Sequence, residues 1–138
     1  MNKYVLIGFV GLVLGCSSGI SKEDLSKLGG YWEITKVTLP DGNVKEYNVN
    51  TSVDYISIDG EEGFRKKMQP RLNGTYETSD DAEAFVITQK EQSFSIDYKT
   101  ELSEWSEQLI ELDDTSFSVK NAEGIRYDYK RFEPISIQ

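Results

Sequence analysis

The chain has 138 residues, with 24 acidic and 15 basic side chains, a formal charge of −9, no histidine and one cysteine. Without histidine there is no Ser-His-Asp or Cys-His nucleophile pair and no imidazole metal ligand. A lone cysteine excludes an intrachain disulfide or a cysteine metal cluster. The length suits a single domain, and so acidic a balance argues against nucleic acid, which needs a basic face.

The first fifteen residues read as an address. Lys3 supplies a positive start, and Tyr4 to Leu14 form an apolar and glycine run. That run is about half of the roughly twenty residues a membrane-spanning helix needs, and it has the proportions of a secretory signal peptide. Val13-Leu14-Gly15-Cys16 resembles the lipobox of bacterial lipoproteins, with aliphatic residues and a small residue ahead of the cysteine. The resemblance implies cleavage of residues 1–15 and acylation of Cys16 on sulfur and on the new amino terminus, by chains such as palmitate. Residues 16–21 are then the lipidated end and tether, and residues 22–138 a single folded domain. Two or more acyl chains hold a protein stably on a bilayer. The expected location is therefore the cell envelope, in the outer membrane, on its periplasmic face or at the cell surface.

A short helix follows. Ser21 with Asp24 three positions on is a capping-box-like start, Leu25 and Leu28 form a small apolar stripe, and Gly29-Gly30 stops it. Lys22-Glu23-Asp24 also resembles the export signals of surface lipoproteins of Bacteroidota.

From Tyr31 the period becomes two. A first strand runs to Leu39 and ends at the turn Pro40-Asp41-Gly42-Asn43. Val53 to Asp59 and Phe64 to Gln69 follow, then a short piece from Thr75 to Glu77 after Asn73-Gly74. Ala84 to Gln89, Ser93 to Lys99, Trp105 to Leu112, Ser116 to Lys120 and Ile125 to Phe132 complete the series. Short connections and spacings near ten residues predict an all-β antiparallel meander of about eight strands. Alternation of apolar and polar residues gives each strand one buried face.

A short helix, then Gly30-Tyr31-Trp32 opening the first strand, then Tyr127-Asp128-Tyr129-Lys130-Arg131 on the last, resembles the lipocalins. More narrowly, the chain is similar to lipocalin-like lipoproteins of Bacteroidota. The resemblance implies a lipocalin-like barrel preceded by a short N-terminal helix, closed at one end by Arg131 packed over Trp32. An eight-stranded barrel either fills with side chains or holds one small ligand. Phe94, Tyr98, Phe117, Tyr127 and Tyr129, at alternate strand positions, are the candidates to line such a calyx, with the hydroxyls orienting a polar group of a mainly apolar ligand. The competing reading has the same rings simply filling the core.

Phe64 to Arg71 carries the basic cluster of this acidic chain, either a contact for lipid phosphate or an anion, or a solvated strand edge. The acid pairs Glu61-Glu62, Asp80-Asp81 and Asp113-Asp114 read as turn formers, and no catalytic, metal or cofactor constellation emerges. The expectation is a non-enzymatic, membrane-anchored barrel binding a small hydrophobic ligand. The alternative is a filled barrel whose outer surface binds an envelope protein partner.

Overall fold

The computed structural model of the chain describes residues 19–48, 52–72, 75–78 and 81–133. The expected signal segment, Cys16 and residues 134–138 lie outside the described residues. No helix among the described residues is long and apolar enough to cross a membrane.

The stretch Lys22–Leu28 is a 3-10 helix. At three residues per turn, positions three apart eclipse, so Leu25 and Leu28 share a face and both are buried. Asp24 fastens its first turn by accepting from the Ser21 amide at 2.9 Å and the Ser21 hydroxyl at 3.1 Å.

Among the described residues ten strands follow: β1 (Gly30–Thr38), β2 (Val44–Glu46), β3 (Val53–Asp59), β4 (Glu62–Pro70), β5 (Tyr76–Thr78), β6 (Glu83–Lys90), β7 (Ser93–Lys99), β8 (Glu104–Leu112), β9 (Ser116–Asn121) and β10 (Arg126–Arg131). Eight of them form an antiparallel meander in the order β1-β3-β4-β6-β7-β8-β9-β10, closed by pairing of β10 with β1. The all-β antiparallel meander of about eight strands behind a short helix, expected from the sequence, is the fold found, and it closes into a barrel. The short strands β2 and β5 lie off the ring, against β1 and β4. Pattern reading misses β2 because Val44, Lys45 and Glu46 are all exposed and carry no alternation.

Register shifts at Thr35 in β1 and Ile110 in β8 mark bulges. A bulge inserts one residue and bends the strand, and here each restores the inward phase, returning Val37 into line with Tyr127 and Leu112 with Phe117. Closure leaves the ring with no exposed edge.

The core divides along the barrel axis. Leu25 and Leu28 of the helix, with Trp32, Ile56, Phe85, Ile87, Phe94, Ile96, Leu109, Phe117 and Val119, fill the half nearest the helix. Gly63 belongs to this packing: a Cβ there would collide with the Ser57 carbonyl and lie 2.7 Å from the Phe85 ring. The helix therefore plugs one end, and the other end opens where β3, β6, β8 and β10 begin.

Candidate functional site

The plugged end is held by one aromatic–arginine pair. Trp32 is wholly buried, donates from Nε1 to the Leu28 carbonyl at 2.8 Å and meets Phe117 edge-on at 4.7 Å. Arg131, on the neighbouring strand, lies 4.1 Å from the Trp32 ring centre. Its Nε, Nη1 and Nη2 donate to the carbonyls of Asp114, Gly29 and Lys27, each at 2.8 Å. The glycine of Gly30-Tyr31-Trp32 has its reason here. Gly30 sits at φ +124, where side chains are strained, and a Cβ would stand 2.5 Å from Arg131 Nη1.

The open end is different in kind. A chamber of about 470 Å³ is lined by Asp54, Arg65, Tyr98, Trp105, Glu107 and Tyr129, with Lys66, Lys67, Asp81 and Glu83 around them. Its floor is the packed apolar half. Trp105 stacks on Tyr98 with centres 5.1 Å apart and planes 11° from parallel, because the two are directly opposite in the β7–β8 ladder.

Arg65 is the centre of the chamber, its side chain only 11% exposed. It donates from Nη2 to Asp54 Oδ2 at 2.7 Å and from Nη1 to the Tyr98 hydroxyl at 3.0 Å. Its guanidinium lies 5.0 Å from the Tyr129 ring centre, and Nη1 stands 3.8 Å from Glu107 Oε1. The exposed Lys67 donates to the other Asp54 oxygen at 2.9 Å. Burial works against the Arg65 charge, but Tyr129, Tyr98, Asp54 and Glu107 more than restore it, so its pKa rises. Burial also pushes the Asp54 carboxyl up, and Arg65 and Lys67 outweigh it, leaving Asp54 below the usual carboxylate range.

Glu107 goes the other way. Its side chain is 12% exposed, and burial raises its pKa more than Arg65 and a Tyr98 hydrogen bond lower it, with the charges of Glu83 and Asp54 adding to the rise. Glu107 Oε1 accepts no hydrogen bond among the described residues. Burial likewise raises Tyr98 and Tyr129 above the usual phenol range, so both are neutral hydrogen-bonding groups at physiological pH.

Of the five rings picked out by alternation, Tyr98 and Tyr129 line the chamber. Phe117 stacks beneath Tyr129 at 4.7 Å and is buried, as is Phe94. Tyr127 is half-buried against the core and does not line the chamber. Asp54, Trp105 and Glu107 are the site residues sequence reasoning missed, and it singles out Arg65 only as part of the basic run, not as a residue of the barrel interior. The signal for Arg65 was available: β4 alternates, so the charge shares the inward face of Gly63 and Lys67, opposite Ile56 and Asp54. The strand that carries the basic run is no edge, since β4 pairs with β3 over Glu62–Met68, with β6 over Glu62–Arg65 and with β5 over Met68–Pro70, although the Lys67 side chain is exposed. Lys67 and Arg71 lie toward the open end of the barrel, away from the helix. No cluster of metal-ligating side chains occurs among the described residues.

No family model and no curated protein sequence matches this chain. Among solved structures it is similar to a lipocalin-like protein from Bacteroides uniformis ATCC 8492, at TM-score 0.49 and 13% identity, covering 77% of this chain and 99% of that one. It is also similar to an uncharacterized protein from Bacteroides eggerthii DSM 20697, at TM-score 0.47 and 17% identity over 75% of this chain and 98% of the other. Apocrustacyanin C1 matches at TM-score 0.44 and 13% identity, over 83% of this chain and 66% of its own.

Proposed function

We propose that the protein is a lipid-anchored envelope protein, not an enzyme, that binds a small ligand in the open half of its lipocalin-like barrel. The chamber over the Tyr98–Trp105 stack carries this reading. Its volume of about 470 Å³ falls within the range of small-molecule sites. The inner half is already filled, so the ligand sits in the mouth, with an apolar face on the rings and polar groups toward the Arg65 network.

The lipobox-like segment supports anchoring at Cys16, three residues ahead of Gly19. Three residues reach at most about 10 Å. Acylation there keeps the helix-plugged end beside the bilayer, so the mouth faces the aqueous side and ligand reaches it without crossing lipid.

Native mass spectrometry of the full protein from its host, anchor intact and in detergent, tests both parts. Mass in excess of the triacylated chain, released by organic solvent, supports a chamber ligand. The mass of the acylated chain alone overturns ligand binding, and an unprocessed, unacylated chain overturns the anchor.

A second reading, in which the outer surface takes an envelope protein partner, draws on a half-buried aromatic group outside the barrel. There Tyr31 stacks on Tyr76 at 4.6 Å and meets Tyr55 at 4.9 Å, with Phe64 a further 6.1 Å from Tyr55.

A further inference from the structure

We infer that the chamber's ligand is a small amine: a protonated nitrogen held by Glu107 and Glu83, on an aromatic or cyclic body that packs against Trp105. The inference rests on the ligand-binding reading above and names the chemical class that this site takes.

Three observations carry it. The first is unequal compensation within the chamber. Asp54 is doubly satisfied, by Arg65 at 2.7 Å and Lys67 at 2.9 Å, whereas Glu107 Oε1 has no donor and its nearest cation stands at 3.8 Å. A buried carboxylate oxygen without a donor costs free energy, and a ligand N–H would relieve that cost.

The second is the sign of the field. Asp54 is bound by Arg65 and Lys67, whereas Glu83 and Glu107 face the same chamber. The positive charges lie together on β4, and Lys67 is already drawn to Asp54. Glu107 feels the negative charges of Glu83 and Asp54, and a cation between Glu83 and Glu107 would relieve that repulsion. An anion would have to displace Asp54 from Arg65 and would meet the same carboxylates.

The third is the platform. Trp105 sits two residues before Glu107 on one strand, so the two share a face. Tyr98 backs the indole at 5.1 Å, fixing a flat ring surface beside the carboxylate. An electron-rich face next to an acid suits a ring that carries an ammonium group.

The test is isothermal titration of the full chain in detergent with three matched probes: phenethylamine, phenethyl alcohol and phenylacetate. The expected order is amine above alcohol above acid, with the amine bound about tenfold or more tighter than phenylacetate. Glu107→Gln should cost the amine about tenfold and leave the alcohol unchanged. Phenylacetate binding as tightly as the amine, or equal loss of amine and alcohol in the variant, would overturn the amine assignment while ligand binding stands. Should none of the three bind and the protein from its host carry no retained mass, ligand binding itself falls. An anionic compound identified in that retained mass would overturn this inference alone.

Discussion

Among the described residues the barrel sets an arginine against an aromatic ring at each end, with opposite results. At the plugged end Arg131 covers Trp32 and directs its donors to three backbone carbonyls. At the mouth Arg65 covers Tyr129 and directs its donors to a carboxylate and a phenol. Carbonyls do not titrate, so the first contact is a fixed lock joining helix, β1 and β10. Carboxylates do titrate and repel one another, so the second leaves one acid satisfied and another with one oxygen short of a hydrogen bond. The difference in acceptors separates a structural closure from a site.

The sharpest way to break this contrast is at the lock. Trp32→Ala removes a fully buried ring together with its bond to Leu28, and should destabilise the fold by about 3–5 kcal/mol. Denaturant unfolding would measure this, and a loss below about 1 kcal/mol would mean that the plug does not depend on the indole.

At the mouth, Asp54→Asn strips Arg65 of its closest counter-ion and should cost about 3 kcal/mol at neutral pH. The pH dependence gives the sign. Asp54 titrates lower in the folded chain than in the unfolded one, so its stabilisation is full above roughly pH 4 and is lost as pH falls through the folded value. Stability profiles of wild type and variant should therefore converge in acid, and parallel profiles would remove Asp54 from the network.

The smallest effect has the reverse sign. Glu107 titrates higher when folded, so its charge is unfavourable once pH exceeds the unfolded value. Glu107→Gln should raise stability by up to about 1 kcal/mol near pH 7 and by nothing in acid. Thermal melts at the two pH values check this. A clear loss at pH 7 would show the Arg65–Glu107 contact to be net stabilising.

Much of the fold was legible because its signals are local. Alternation along β3 and β7 marks both strands at the observed bounds, Val53–Asp59 and Ser93–Lys99. Ser21, Asp24, Leu25 and Leu28 mark a helix of one buried face, although the same pattern fits an α-helix and does not reveal the 3-10 winding. The exposed β2 carries no pattern to read. The candidate site was less legible. Tyr98 and Tyr129 could be placed by phase, but Phe94 and Phe117, in the same phase, lie too deep along the axis to reach the chamber.

The sequence by itself determined the eight strands of the ring, their inward faces and the residues able to plug one end, because side-chain direction follows from period two within a single strand. Only the tertiary structure decided where the charges meet. Asp54, Arg65, Tyr98, Glu107 and Tyr129 come from five different strands, and nothing local tells a buried arginine which acid will answer it. Closure of the ring brings them to one level, where low polarity strengthens every pairing and leaves the carboxylate of Glu107 incompletely matched.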